Sequence, residues 1–476
     1  MSHSRSKLGW VFASILLLGS IPPLLAQSST GEIDVTVIDE SDAIITDAKV
    51  SMTGSDTGAL VRTMRTNGAG LAAVPLLNPG TYDVKIEKEG FRTLIQQRVI
   101  LRVTETVSLR LKMRLGATSQ SVTVSGEAAL VDTTSNTQGQ VVTNQTMTEL
   151  PLNGRNYLQL TLLTAGTTPS ANKDASFSAF GNRGMQNVYT LDGGINESFI
   201  RGNDNHQRDA LRPSLEAIQE FKVQTGYFSA EYGSAAGGVV SVVTKSGTNE
   251  IHGSVFDFLR NNAIAARDFF APPGPKPQLI FNQFGGAMGG PIKKNRAWIF
   301  GAYQGTEIRQ QDTYISSVPT AANKNGVFTS PIFDPGTTAA SGSTFTRAPF
   351  PNNTIPASAF NSIGKQLAAM YPDPNLPGLG NNYIRNSSLP TALHNATFRG
   401  DVQVTAKDTM FARFGLNRSN VTAQAALPEP AQTPVIQNLP AWNFGYGYTH
   451  VFGPTLVNEF RFGWTASKST RMPPRR

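Results

Sequence analysis

The residue types that most often carry nucleophilic or metal chemistry, cysteine and histidine, are scarce in this 476-residue chain. It has no cysteine, which excludes thiolate nucleophiles, thiolate metal sites and disulfides. Its five histidines, His3, His206, His252, His394 and His450, are scattered, and no His-Glu-x-x-His pair exists to hold zinc on one helix face. No catalytic residue, cofactor or metal site is therefore expected. What the sequence offers instead is backbone chemistry. Ser121-Val122-Thr123-Val124 alternates as a short extended segment does, within an exposed connector. The same segment also reads as an ordinary strand of the region before or after it. A second group, Arg183, Gly184, Asn187, Asp192 and Gly193, brackets a strand with a cation, an amide and a carboxylate. A third is a small-residue run with Gly233, Gly237 and Gly238 just ahead of Val239-Val240-Ser241-Val242-Val243-Thr244. Glycines at that density allow close backbone approach or positive φ, and the Val-rich run reads as a buried strand.

The elements that must position these groups are mostly strands. Glycine (44) and proline (29) are plentiful, as in a chain of many turns and long loops. Residues 1–26 read as a secretory signal, with Arg5 and Lys7 ahead of the apolar run Leu8 to Leu18 and Leu24-Leu25-Ala26 as a cleavage site. Beyond it no stretch offers 18 continuous apolar residues, so a membrane could be crossed only by a β-barrel. The net charge of +8 falls to +6 without Arg5 and Lys7, a modest excess with no long basic run and no second feature of nucleic-acid binding.

Residues 30–115 alternate cleanly: Tyr82, Val84 and Ile86 with Asp83, Lys85 and Glu87, and Val107, Leu109, Leu111, Met113 and Leu115 with Ser108, Arg110, Lys112 and Arg114. About seven short strands separated by turns predict a small β-sandwich. Residues 116–128 read as an exposed connector. After it the pattern becomes mixed, with helical turns at Thr146 to Leu150 and Asn156 to Leu163. After Gly253, alternation returns in His394 to Val404, Met410 to Leu416, Trp442 to Tyr448 and Phe460 to Trp464. One face is apolar and the other polar, which suits strands between lipid and a wet lumen. Between them, Ala271 to Ile280 and residues 310–392 are irregular, with a helix expected at Ile363–Met370.

Three ordered segments carry a resemblance: PLNGRNYLQLTLLTAGT (Pro151–Thr167), FGNRGMQNVYTLDGG (Phe180–Gly194) and LEAIQEFKVQTGYFSAEYG (Leu215–Gly233). Together with the glycine-rich junction they resemble the plug of Oar-like TonB-dependent outer-membrane receptors. LLNPGTYDVKIEKEGF (Leu76–Phe91) is similar to the carboxypeptidase regulatory-like domain, a transthyretin-like sandwich, here with no peptidase chemistry. The resemblance implies a mainly β chain, organised as follows. A signal peptide occupies 1–26 and the sandwich 27–115. Residues 116–128 form a linker whose Ser121, Val122, Thr123 and Val124 are the TonB-box candidate. A mixed α/β plug spans 129–249, and the first strands of an incomplete antiparallel transmembrane barrel span 250–476.

It also implies a Gram-negative outer-membrane location, periplasmic N-terminal domains and ligand uptake without catalysis. The partners would be a TonB-type energy-coupling protein with its inner-membrane motor, outer-membrane lipid, and an extracellular ligand: oligosaccharide, peptide or chelated metal. Phe350, Asn352, Tyr371 and Tyr383 lie in loops where ligand would first be met. Asp192, Arg183 and Asn187 would bond to the barrel wall or face ligand. The competing class is a surface adhesion or structural protein that keeps plug and barrel without transport. A 22-stranded plugged barrel needs roughly 220 strand residues, whereas only about seven strands are readable after Gly253, so a fragment or truncated product is expected.

Overall fold

The computed structural model describes residues 29–125, 137–170, 177–198, 209–233, 235–271, 274–423, 425–453 and 456–473. The expected signal peptide, His3 and His206 lie outside them, and so does the end of the expected linker, residues 126–128.

The N-terminal region is a two-layer sandwich. Its strands are β1 (Gly31–Ile38), β2 (Lys49–Gly54), β3 (Leu60–Arg65), β4 (Leu71–Leu77), β5 (Gly80–Glu87), β6 (Thr93–Leu101), β7 (Thr106–Lys112) and β8 (Ser121–Ser125). One sheet has the order β4-β1-β7 and the other β3-β2-β5-β6-β8. The period-2 alternation puts Ile33, Val35, Val50, Met52, Val84, Ile86, Val99 and Leu109 between the layers, all buried. The expected count of about seven strands in residues 30–115 matches β1 to β7, and the informative strand is the eighth, which lies beyond that range. Ser121–Ser125 is a paired edge strand rather than a free connector, although Ser121, Thr123 and Val124 keep exposed side chains. It pairs in parallel with Thr93–Gln97 at the edge of the larger sheet, and Val122 packs partly buried against the sandwich core.

The plug is built on a five-stranded sheet of order β13-β12-β15-β14-β9. Its members are β9 (Gln138–Thr143), β12 (Val188–Leu191), β13 (Gly194–Ile195), β14 (Ile218–Gly226) and β15 (Val239–Thr244); the small ribbon β10 (Thr167–Pro169) and β11 (Phe177–Ala179) lies beside it. Every residue of β15 is buried, as expected of a short Val-rich run with neighbours on both faces. The expected helical turns are a six-residue helix, Asn144–Glu149, and a 3-10 helix, Tyr157–Leu163. Tyr157, Leu158 and Leu160 enter a core with Phe177, Phe221, Val223 and Val240.

The third region is an open, antiparallel nine-stranded sheet. Its strands are β16 (His252–Asn261), β17 (Leu279–Lys293), β18 (Ala297–Ser316), β21 (Tyr383–Gln403), β22 (Asp408–Ala423), β23 (Val435–Asn438), β24 (Ala441–Gly453), β25 (Leu456–Ser467) and β26 (Thr470–Met472); a separate hairpin, β19 (Ala339–Ser341) with β20 (Thr344–Thr346), sits in the long connection. Seven of the nine are long, matching the expected number. The expectation that residues 310–392 are all irregular is corrected at both ends. β18 runs to Ser316 and β21 starts at Tyr383, paired throughout. At about 3.3 Å per residue these strands are roughly 65 Å long and outreach the hydrocarbon layer, so their outer parts need no apolar face and show no alternation to read. The helix expected in that connection is Ser362–Met370.

The outward face carries the apolar side of each alternation: Phe460, Phe462 and Trp464 are about half exposed, while Glu459 and Arg461 point inward. Phe444 meets Phe462 and Tyr446 meets Phe460 across the β24–β25 ladder. Short turns after β17 and β21 mark one end of the sheet and the long connections the other; in outer-membrane barrels these are the periplasmic and extracellular ends. The sandwich lies at the short-turn end, where the Asn249 amide N–H donates to the Asp56 carbonyl.

Candidate plug–barrel latch

The sheet register creates an electrostatic problem on the inner wall. Arg399 of β21 and Arg413 of β22 are direct cross-strand partners, and both point inward. Like charges at facing positions repel, and burial removes the water that would screen them. The plug supplies the counter-charge. Asp192 follows β12 at φ +49°, a left-handed turn continued by Gly193 at +78°, and this places its carboxylate between the two guanidinium groups. Arg399 Nη1 donates to Asp192 Oδ1 at 3.1 Å, and Arg413 Nε stands 2.6 Å from Oδ2 as an ion pair. The three side chains are 5%, 1% and 4% exposed in the order Arg399, Arg413, Asp192.

The rest of the cluster fixes these groups in place. Thr244, the last residue of β15, donates to Asp192 from its backbone N–H and its hydroxyl, both at 2.9 Å. Arg399 also donates to Asp401, which accepts a further bond from the Ser246 hydroxyl at 2.7 Å. Arg413 donates to Asn443. Arg461 reaches the Asp192 carbonyl at 3.0 Å and Ser29 at 2.9 Å. Burial alone would raise the Asp192 pKa, but Arg399, Arg413 and the Thr244 donors outweigh it and hold the carboxyl below its ordinary range. Asp192 is thus an anion locked between two cations, at a contact that separates only when an ion pair is broken.

The other residues singled out by sequence do different things. Asn187 is fully buried and staples the plug: its Nδ2 donates to the Phe177 carbonyl at 2.7 Å, and its Oδ1 accepts from the Gly238 amide at 2.8 Å. Gly237 leaves room for that staple, since a Cβ there would stand 2.3 Å from Asn187 Oδ1, and one on Gly238 would press on the Phe177 ring. Gly233 has open space around it. Arg183 is exposed and precedes the 3-10 turn Gly184–Gln186, away from the latch. Ser121, Val122, Thr123 and Val124 are held in β8. Phe350, Asn352, Tyr371 and Tyr383 lie on the long β18–β21 connection or at its end. Among the described residues no group of three His, Asp or Glu side chains is placed to hold a metal.

Sequence reasoning found Asp192 but missed Arg399 and Arg413 as its partners. Their signal was present: two arginines at inward positions of adjacent strands ask for a buried anion. A second missed contact joins plug and sandwich. Glu220 of β14 is buried, accepts from the Val103 amide N–H and lies 3.8 Å from Arg102. Burial pushes its carboxyl up to about 7, against the lowering effect of Val103 and Arg102.

Comparison with known proteins finds two family matches. Residues 243–476 match a family described as an outer membrane beta barrel domain, and residues 32–114 match the carboxypeptidase regulatory-like domain. The TonB-dependent transporter Oar of Myxococcus xanthus is 28% identical over 333 residues, covering 64% of this chain and 29% of that protein. The ferrienterobactin receptor of Escherichia coli is 29% identical over 138 residues, 28% of this chain and 18% of that protein. The crystal structure of the siderophore receptor PirA from Pseudomonas aeruginosa superposes with a TM-score of 0.41 at 12% identity, over 70% of this chain and 41% of that one. The chain spans less than a third of the length of either curated relative.

Proposed function

The chain belongs to the TonB-dependent outer-membrane receptors, and from that premise we propose that it serves energised uptake of a large ligand without catalysis. The observation that carries this reading is the Asp192 latch. A plug meant only to seal a barrel needs no buried carboxylate between facing arginines, whereas a plug that must release needs a discrete contact that breaks as a unit. In this reading ligand meets the plug from the long-loop end, and a TonB-type partner draws on the chain from the other. Ser121 to Val124 remains the candidate box. It stands at a sheet edge, so a partner strand either adds to its free side or replaces its pairing with β6.

The chain has no native cysteine, which makes the test direct. Ser241 in β15 is 1% exposed and becomes labelled only if the plug opens. In cells with an energised inner membrane, Ser241→Cys is expected to react with a maleimide. The reaction should cease with a protonophore, and also with Val122→Pro/Val124→Pro, because proline removes the backbone donors of strand addition. Labelling that ignores the protonophore would overturn the transport reading in favour of a static surface role. Labelling that ignores the prolines would remove only the box assignment.

A further inference from the structure

The sandwich is bonded at once to two bodies that must part if the plug is to move. On the plug it meets β14 through the β6–β7 turn and the turn ahead of β5. Val103 donates its amide N–H to Glu220, and Lys222 Nζ donates to the Thr104 carbonyl at 3.2 Å. Gln224 Nε2 donates to the Thr104 hydroxyl at 3.2 Å, and Gln219 Nε2 to the Pro79 carbonyl at 3.1 Å. Thr104 itself holds φ +53°, a conformation costly for a β-branched residue. On the wall side, the Asp56 carbonyl accepts from the Asn249 amide at 3.1 Å. Asn249 is in turn fixed to the wall, accepting from the Asn295 amide at 2.8 Å and from Trp298 Nε1 at 3.1 Å. Ser29, just ahead of β1, accepts from Arg461 of β25 at 2.9 Å.

These contacts differ in kind from the packing inside each body. The buried apolar cluster of the sandwich is drawn from sandwich residues alone, and among the described residues no plug or wall side chain joins it. Where the three bodies meet there is a cavity of about 350 Å³ instead of a shared core, bordered by Arg62 and Tyr82 of the sandwich, Lys245 of the link and Phe411 of the wall. A dock made of hydrogen bonds around a void separates at little net cost, because its groups rebind water, whereas a common apolar core would fuse the bodies. We propose that the sandwich is a clamp across the short-turn end of the barrel, bridging wall and plug, and that it must leave its seat before the plug strands can open. This goes beyond the receptor reading and stands apart from it, since it concerns which body moves first, whatever the plug opens for.

The test is native-state hydrogen exchange on the purified full chain in detergent, read in two ways. The first is the order of opening. The Val103 amide is tied to Glu220 across the dock, so its exchange reports undocking. It is expected to exchange no more slowly than Phe221 and Val223 of β14 or Val240 and Val242 of β15. The second is a lock. A Cβ on Gly58 would stand 3.4 Å from Asn295 Cγ, one bond from the Asn295 β-carbon, so the two β-carbons come within about 5 Å, close to disulfide reach. Oxidising Gly58→Cys/Asn295→Cys fixes the sandwich to the β17–β18 turn, and the chain has no native cysteine to interfere. A short bis-methanethiosulfonate bridges the same pair if direct oxidation is incomplete. The lock should slow the β14 and β15 amides about tenfold or more, and reduction of the same sample should restore them. Plug amides that exchange faster than Val103, or at equal rates in the locked and reduced protein, would overturn the proposal. Because neither reading needs an energised partner, both are independent of the maleimide labelling that tests transport.

Discussion

Replacing Asp192 by Asn isolates the electrostatic part of the latch. Asn keeps the side-chain volume and an oxygen that can accept from Thr244, but it leaves Arg399 and Arg413 facing each other with only Asp401 nearby. Removing one partner of a buried ion pair typically costs about 3–5 kcal/mol, because the remaining charge is left without its counterpart. At about 1.4 kcal/mol per tenfold, the opening equilibrium of the plug strands next to the latch should rise roughly 150- to 5,000-fold. Native-state hydrogen exchange reads this directly at Leu191 in β12 and at Val242 to Thr244 in β15. Sandwich amides such as Val35 and Val84 should be unaffected. Pairing Asp192→Asn with Arg413→Gln removes the facing repulsion and should recover much of the protection. A loss below about tenfold at Leu191 and Val242, or an equal loss in the sandwich, would refute the reasoning that the carboxylate holds the plug to the wall.

Other expectations follow from single residues. Glu220 titrates near 7 at the plug–sandwich contact, above its ordinary 4.5, so the contact is strongest in acid and weakens as pH rises through 7. The full loss is about 3 kcal/mol. Glu220→Gln should flatten a pH series of melting temperatures between 5 and 8, and an unchanged slope would contradict the assignment. Gly237→Val drives a side chain into the Asn187 staple and should destabilise the plug by about 1–3 kcal/mol in urea unfolding; an unaltered midpoint would count against the staple. Phe462→Arg places a cation on the lipid face and should cost about 2–4 kcal/mol in refolding into bilayers if it sits near the midplane, whereas a cost near zero would place it outside the membrane.

The parts of this fold legible in sequence are those governed by local periodicity. The alternation of Ala396 to Val404 and of Phe460 to Trp464 told lipid side from lumen side because one face of those strands meets hydrocarbon. The burial of β15 followed from six residues of uniform β preference. The pairing of β8 with β6 was not legible, since a short alternating segment is equally suited to an exposed connector and to a sheet edge. The ends of β18 and β21 were hidden because they stand clear of the bilayer, where both faces are polar. Asp192 was visible as a carboxylate on a turn, but its arginines lie 207 and 221 residues further on, and only the β21–β22 register brings them face to face. Glu220 gave no signal at all, because a glutamate in an alternating strand reads as solvent-facing until the sandwich is docked over it.

The spatial order of the plug sheet, β13-β12-β15-β14-β9, has a mechanical consequence. β9, the strand nearest the chain's amino-terminal side, is at one edge, while β15, which leads straight into the first wall strand, is central. The link after β15 is itself wedged, for a Cβ on Gly247 would stand 2.5 Å from the Ile299 carbonyl and 2.7 Å from that of Gly290. Tension passed along the chain from the amino-terminal side therefore reaches β9 first and, once the sandwich has parted from β14 at Glu220, must strip the β9 ladder from β14 before it loads the centre. The far end of the sheet stays moored to the wall throughout. Such a sheet comes apart one seam at a time from a fixed anchor, and when the load is released its inner strands are still in place as a template for the outer ones to rejoin.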